Sequence, residues 1–178
     1  MDVSIATSRL LLRPLSLVDV PAIVDGLSDF EVARWLTPVP HPYTVDHAKE
    51  WLAKVKPAQP GALHLAIDIA GAGLIGVASI DPGLGYWIDR RHQGRGYVTE
   101  ASAALLDWHF GHLPHSRLRS GAHVGNEASL RVQAKLGFRE TGIRDMRHVR
   151  SLGHEVEHIE TSLDRPQFDA ARMRRWAS

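Results

Sequence analysis

The segment Leu84-Gly85-Tyr86-Trp87-Ile88-Asp89-Arg90-Arg91-His92-Gln93-Gly94-Arg95-Gly96-Tyr97 organises the reading of the chain. Its first five residues form an apolar run that reads as a strand, and a helical pattern begins at about Val98. A strand, a glycine-spaced turn and a helix start together make a device for holding phosphate. The first helical turn has free N–H groups, and the helix dipole adds partial positive charge there. Glycines let the backbone close on an anion with no Cβ in the way. Arg90, Arg91 and Arg95 add full charges beside the turn.

Three phosphate loops compete for this stretch. A nucleoside-triphosphate loop needs Gly-x4-Gly-Lys-Ser/Thr, and the chain has none. A dinucleotide loop needs a third glycine, but position 99 is Thr99, and the preceding strand does not open a βαβ unit. The pattern that fits is Arg/Gln-x-x-Gly-x-Gly/Ala, matched by Arg91, Gly94 and Gly96.

Outward from the loop, strands are predicted over 9–14, 63–69, 74–80, 84–89 and 117–124, with a final pair over 138–147 and 155–163. Helices are predicted over 16–27, 31–36, from Thr44 or Asp46 to Lys56, from Val98 through Trp108, and over 126–136 with Gly137 as a left-handed cap. Pro57 begins a break, and the prolines of 38–42 forbid helix there. The order predicts an α+β fold, a single domain over 7–165 with a mixed, mostly antiparallel sheet flanked by helices. Residues 166–178 read as a tail, either a peripheral helix or unstructured.

A second motif follows one strand and one helix later: Asn126-Glu127-Ala128-Ser129, then Lys135-Leu136-Gly137-Phe138. Asn126, Ser129 and Gln133 fall at i, i+3 and i+7, a polar stripe on an otherwise packed helix. Such a stripe suggests a side that faces a ligand.

The two motifs in this order resemble the GCN5-related N-acetyltransferases (GNAT), and in particular the branch that acetylates ribosomal-protein N-termini. Thr7-Ser8-Arg9-Leu10-Leu11-Leu12-Arg13-Pro14-Leu15 is similar to that branch's opening, and the resemblance extends to Leu163. It implies the splayed sheet of that fold and acetyl-CoA as cofactor. It implies that Arg91, His92, Gln93, Gly94, Arg95, Gly96, Tyr97 and Thr99 hold the pyrophosphate end. Trp87, Ile88 and Asp89 would pair with the pantetheine arm as a peptide adds to a sheet edge. Asn126 would bind that arm, and Ser129 would sit near the thioester sulfur. A homodimer is implied only by analogy.

Acetyl transfer to an amine needs a neutral nucleophile, donors for the developing oxyanion and a proton for the leaving thiolate. A free α-amine has a pKa of about 8 and a lysine about 10, so a base helps. The expected oxyanion donor is the backbone N–H at about Ile88, and the expected acid is Ser129. Many relatives carry an acidic residue where this chain has Gly83. His148 is the first substitute for that base, and its more ordinary reading is a partly exposed strand histidine. His123 is the second; Glu155 and Glu157 read as a solvated face. Trp35, His41, Tyr43 and Tyr86 are the expected acceptor-side residues. His109, His112 and His115 have helical spacing, but Pro114 interrupts it and no carboxylate completes a metal set.

Composition bounds the partners. The 178 residues carry a net charge of +1, which argues against a general nucleic-acid binder. There is no cysteine, hence no disulfide, thiolate site or acyl-cysteine intermediate. No signal-peptide pattern and no span of about 20 apolar residues is seen, so a cytoplasmic protein without membrane contact is expected. The expected activity is direct acetyl transfer to a primary amine, on a protein N-terminus or a small molecule. The rival is a catalytically degenerate CoA-binding sensor or scaffold, which the missing acid at Gly83 favours.

Overall fold

A computed structural model describes residues 3–55 and 59–176. The helix end expected at Lys56 and the break expected at Pro57 lie outside the described residues, as do positions 177 and 178. The strands are β1 (Ile5–Ala6), β2 (Leu11–Pro14), β3 (Leu63–Ile69), β4 (Gly73–Ile80), β5 (Leu84–Ile88), β6 (Arg117–His123), β7 (Arg139–Val149) and β8 (His154–Asp164). The helices are α1 (Val20–Ser28), α2 (Phe30–Ala33), α3 (Val45–Lys54), α4 (Tyr97–His112), α5 (Glu127–Leu136) and α6 (Arg165–Trp176).

The α+β architecture with antiparallel strands flanked by helices is what the sequence predicts. The strands form two hydrogen-bonded sheets, β1-β2-β3-β4-β5 and β6-β8-β7, in which every recorded pairing is antiparallel. The parallel element implied by a mixed sheet would be β5 against β6. These strands lie side by side, but no ladder joins them among the described residues. Where the start of β5 meets the middle of β6, Ser120 Oγ donates to the Leu84 carbonyl at 2.8 Å, and beyond that point they splay.

The five-stranded sheet is covered on both faces because its apolar residues alternate. Leu63, Leu65 and Ile67 face one core with Leu105, Leu106 and Phe110 of α4. Ala66, Leu74 and Val77 face a second core with Val20, Ile23 and Leu27 of α1. Thr44 caps α3 by accepting from the His47 N–H, which decides between the two cap candidates. Gly137 ends α5 in the left-handed conformation.

The C-terminal segment joins the main core. Phe168 on α6 is fully buried, with its ring 5.6 Å from that of Phe110, and Arg165 donates to the Phe110 carbonyl at 3.1 Å. The segment read as a tail, either a peripheral helix or unstructured, thus contributes helix α6, which buries Phe168 and Ala171. One phenylalanine in a basic segment was too weak a periodic signal to show this from sequence.

Candidate active site

The glycine loop is built as its sequence suggests. β5 ends at Ile88, and Asp89 accepts from the Arg91 N–H at 2.8 Å to start a short 3-10 turn. Gly96 is the N-cap of α4 with φ +78°, a conformation that L side chains rarely adopt, and no side chain caps the helix. The N–H groups of the first turn are thus left for an outside acceptor.

The loop is braced from behind by the chain's N-terminal arm. Glu100 accepts from Thr7 Oγ1 at 2.6 Å, Ser8 Oγ at 2.9 Å and the Arg9 N–H at 3.0 Å. Arg9 pairs with the same carboxylate, lies over the Tyr97 ring at 4.7 Å and donates to the Arg95 carbonyl at 2.9 Å. Burial alone would raise the Glu100 carboxyl, but the hydrogen bonds from Thr7, Arg9 and Ser8 hold it below its ordinary value.

The splay between β5 and β6 opens a cavity of about 490 Å³, which runs from the start of α4 past β5 to the loop after α2. The β5 backbone matters here. Asp89 N–H donates to the Ile75 carbonyl, and the two-residue alternation of an antiparallel ladder puts Trp87 and Gly85 on the same side, toward β4. Tyr86 and Ile88 therefore direct their N–H groups away from β4, into the gap. Position 83 closes one end of the gap, because a Cβ on Gly83 would lie 2.4 Å from the Arg119 carbonyl oxygen. This backbone has no room for the acidic side chain that many relatives are expected to carry there.

α5 lines the far wall. Asn126 caps it, its Oδ1 accepting from the Ser129 N–H at 3.2 Å. Ser129 Oγ lies 2.9 Å from the Tyr86 hydroxyl and accepts from Gln133 Nε2 at 3.2 Å. Gln133 also donates to the Gly121 carbonyl at 2.9 Å and accepts from Thr161 Oγ1 at 2.7 Å. The polar stripe read from the sequence is thus a connected network on the cavity wall. Burial pushes the Tyr86 phenol up, against the opposing hydrogen bonds from Ser129 and Gln133, so it stays a neutral donor. Arg131 and Lys135 flank the wall on its exposed side.

The structure sorts the expected site residues. Trp35, Tyr86, Trp87, Ile88, His92, Gln93, Gly94, Gly96, Tyr97, Thr99, Asn126 and Ser129 line the cavity. Arg91 and Asp89 do not: the Arg91 guanidinium pairs with Asp89 and Asp25 on the other side of the loop, where charge pairing shapes the turn. Arg95 contributes its backbone position, held by Arg9, and its side chain is exposed away from the lining. Tyr43 is a buried member of the second core, and His41 is an exposed ring against Phe30; neither reaches the cavity. His148 is exposed on β7 opposite Glu155, outside the lining. His109 is buried elsewhere, with Nε2 2.7 Å from Ser116 Oγ.

His123 does line the cavity, and so does His158, which the sequence reading missed. They are direct partners across β6 and β8, with rings 5.6 Å apart and edge to face. His123 Nε2 lies 3.0 Å from Thr37 Oγ1, and His158 Nδ1 lies 3.2 Å from Asp145 Oδ1. Burial lowers both imidazoles; the neighbouring His158 adds to this at His123, and Arg147 adds to it at His158. The Thr37 loop is held over them, since Arg150 N–H donates to the Thr37 carbonyl and Ser151 Oγ to the Ala33 carbonyl.

One cavity thus brings together a helix N-terminus without a side-chain cap, a strand edge with amides directed away from its ladder, and a hydroxyl network. The family model described as the acetyltransferase (GNAT) domain matches residues 9–139, and the chain belongs to that family of acetyltransferases. It is 28% identical over 136 residues to YdaF of Bacillus subtilis, which carries a provisional name as a ribosomal N-acetyltransferase; the match covers 70% of this chain and 74% of that protein. RimJ of Mycobacterium smegmatis, solved in complex with CoA-disulfide, superposes with a TM-score of 0.74 at 21% identity, over 91% of this chain and 86% of that one. A GCN5-related N-acetyltransferase from Brucella melitensis gives 0.77 at 21% identity, over 96% and 82%. No helix among the described residues is long and apolar enough to cross a membrane.

Proposed function

We propose that this chain transfers the acetyl group of acetyl-CoA directly to a primary amine, on a protein N-terminus or a small molecule. The observation that carries the proposal is the continuity of one cavity from the uncapped start of α4, along the free edge of β5, to the Tyr86–Ser129 pair. The residues fit the cofactor at each point. The first-turn N–H groups of α4 receive the pyrophosphate, with Arg131 and Lys135 beside it. The β5 edge pairs with the amide-bearing arm. Acetyl-CoA supplies an activated acyl group with a thiolate leaving group. The Ile88 N–H, directed into the gap, is the donor for developing negative charge on the acyl oxygen. Ser129, backed by the neutral Tyr86 hydroxyl, is the proton donor to the leaving sulfur.

Thiol release measured with acetyl-CoA and a panel of amines, including peptides beginning with Ala or Ser, tests this reading. Amine-dependent release of free CoA is expected. Tight acetyl-CoA binding with no release from any amine would instead make the chain a CoA-binding sensor.

A further inference from the structure

A row of three side chains crosses the smaller sheet in register: His123 on β6, His158 on β8 and Asp145 on β7. Directly opposed residues of an antiparallel sheet share a face. His123 pairs with His158, and His158 pairs with Asp145. Resting on the acetyl-transfer reading above, we infer that His158 is the general base that takes a proton from the acceptor ammonium, with Asp145 as its positioning residue.

The choice between the two histidines follows from their nitrogens. His123 has Nε2 engaged by Thr37, and its Nδ1 is fully sealed with no hydrogen-bond partner, so neither atom is presented to a substrate. His158 uses Nδ1 toward Asp145, which fixes the Nδ1–H tautomer and leaves Nε2 as the acceptor. Its ring edge lies over Gly121, where a Cβ would sit 2.3 Å from His158 Cε1 and 2.6 Å from Nε2. Glycine at that position makes the space that this edge occupies. The Gly121 carbonyl is held by Gln133, which also reaches Ser129 Oγ. Thr161, which Gln133 engages, is an odd offset from His158, so the His158 edge and the network assigned to the leaving sulfur lie on opposite faces with the Gly121 backbone between them, and both line the one cavity.

The proton balance is simple. The acceptor arrives as an ammonium and gives up two protons in all. One passes to His158 Nε2 and on to solvent. The amine nitrogen bonds to the acyl carbon as the carbon–sulfur bond breaks, and the second proton ends on the thiolate by way of Ser129. The groups that set the charge around His158 are Asp145 and Arg147 on β7, His123 on β6 and Glu160 on its own strand.

The test uses the full chain, with acetyl-CoA and whichever amine supports turnover. His158→Gln should lower kcat/KM by on the order of a hundredfold or more and remove the acid-side inflection of its pH profile. Its Kd for CoA should equal that of the wild type, which also shows that the variant is folded. Asp145→Asn, at a half-exposed rim position, should lower kcat/KM about tenfold and move the inflection to lower pH, because the carboxylate favours the protonated imidazole. Imidazole ¹⁵N shifts should report the Nδ1–H tautomer at His158 in the wild type. A His158→Gln enzyme within twofold of wild type, or an Nε2–H tautomer at His158, overturns the assignment. If no amine yields thiol with the wild type, the transfer reading fails, and the tautomer still decides whether His158 presents an acceptor to the cavity.

Discussion

Replacing Glu100 with alanine should destabilise the protein by about 2–3 kcal/mol, and the structure shows where that figure arises. Hydrogen bonds to a charged acceptor contribute roughly 1.5–3 kcal/mol each when water cannot substitute. The Glu100 side chain is 16% exposed and gathers four groups from the N-terminal arm. Ser8 and Arg9 are exposed, so water replaces much of what they lose, and an ion pair to a half-exposed arginine adds at most about 1 kcal/mol. The Thr7 hydroxyl, half-buried at 2.6 Å, carries most of the rest. A chain of this size shifts Tm by about 2–4 °C per kcal/mol, so thermal unfolding should show a drop of about 5–10 °C. Arg9→Ala, which leaves the carboxylate its other donors, should cost about 1 kcal/mol. Its larger effect should be weaker CoA binding, because the Arg95 carbonyl loses its brace. The folded Glu100 carboxyl sits below its ordinary value of 4.5, so its contribution is full above that pH and is lost as pH falls through the depressed value. The Tm gap between wild type and Glu100→Ala should narrow accordingly below about pH 4.5. A Glu100→Ala drop no larger than that of Arg9→Ala would refute the carboxylate as the hub of this corner.

Three further outcomes are expected. Ser129→Ala should lower kcat by about tenfold or more while leaving the Kd for CoA within about twofold, as steady-state rates and calorimetry would show. Phe168→Ala should cost about 3–5 kcal/mol in urea unfolding, since the ring is fully buried in the main core; a loss under about 1 kcal/mol would mean that α6 is peripheral after all. Stability should fall as pH drops below 6.5. Burial lowers His109, His123 and His158 in the fold, so protons bind the unfolded chain first, each costing up to about 1.4 kcal/mol per pH unit. Urea midpoints at pH 7.5 and 5.5 check this, and His109→Gln should reduce the difference.

What was legible in the sequence follows the range of the interactions. The glycine loop, the α5 stripe and the Gly137 cap are written in neighbouring residues, and the structure builds all three. The acceptor side was harder. His148 and His158 are both strand histidines, and the sequence offers no reason to prefer one. Register decides: His148 is three residues beyond Asp145, an odd offset that puts it on the opposite face from the His158 row. That register passes through a shift between Glu140 and Arg144, which no local pattern reveals. Gly83 was legible as a departure from an expected acid, but its steric cause is the Arg119 carbonyl on a strand more than thirty residues away. Arg91 belongs to the phosphate motif by sequence, and only the fold shows that Asp25 and Asp89 draw its charge elsewhere.

The seam between β5 and β6 has a consequence for how the molecule breathes. Two antiparallel sheets meet there without a ladder among the described residues, tied by Ser120, so the Tyr86 and Ile88 amides lack the ladder that slows exchange elsewhere in β5. On the function proposed above, a carrier lying in the seam would act as a temporary extra strand, stitching the two sheets together. Binding then stabilises the whole domain by mass action. Hydrogen exchange at those two amides becomes a local clock for occupancy, fast when the seam is open and slow when it is sewn shut.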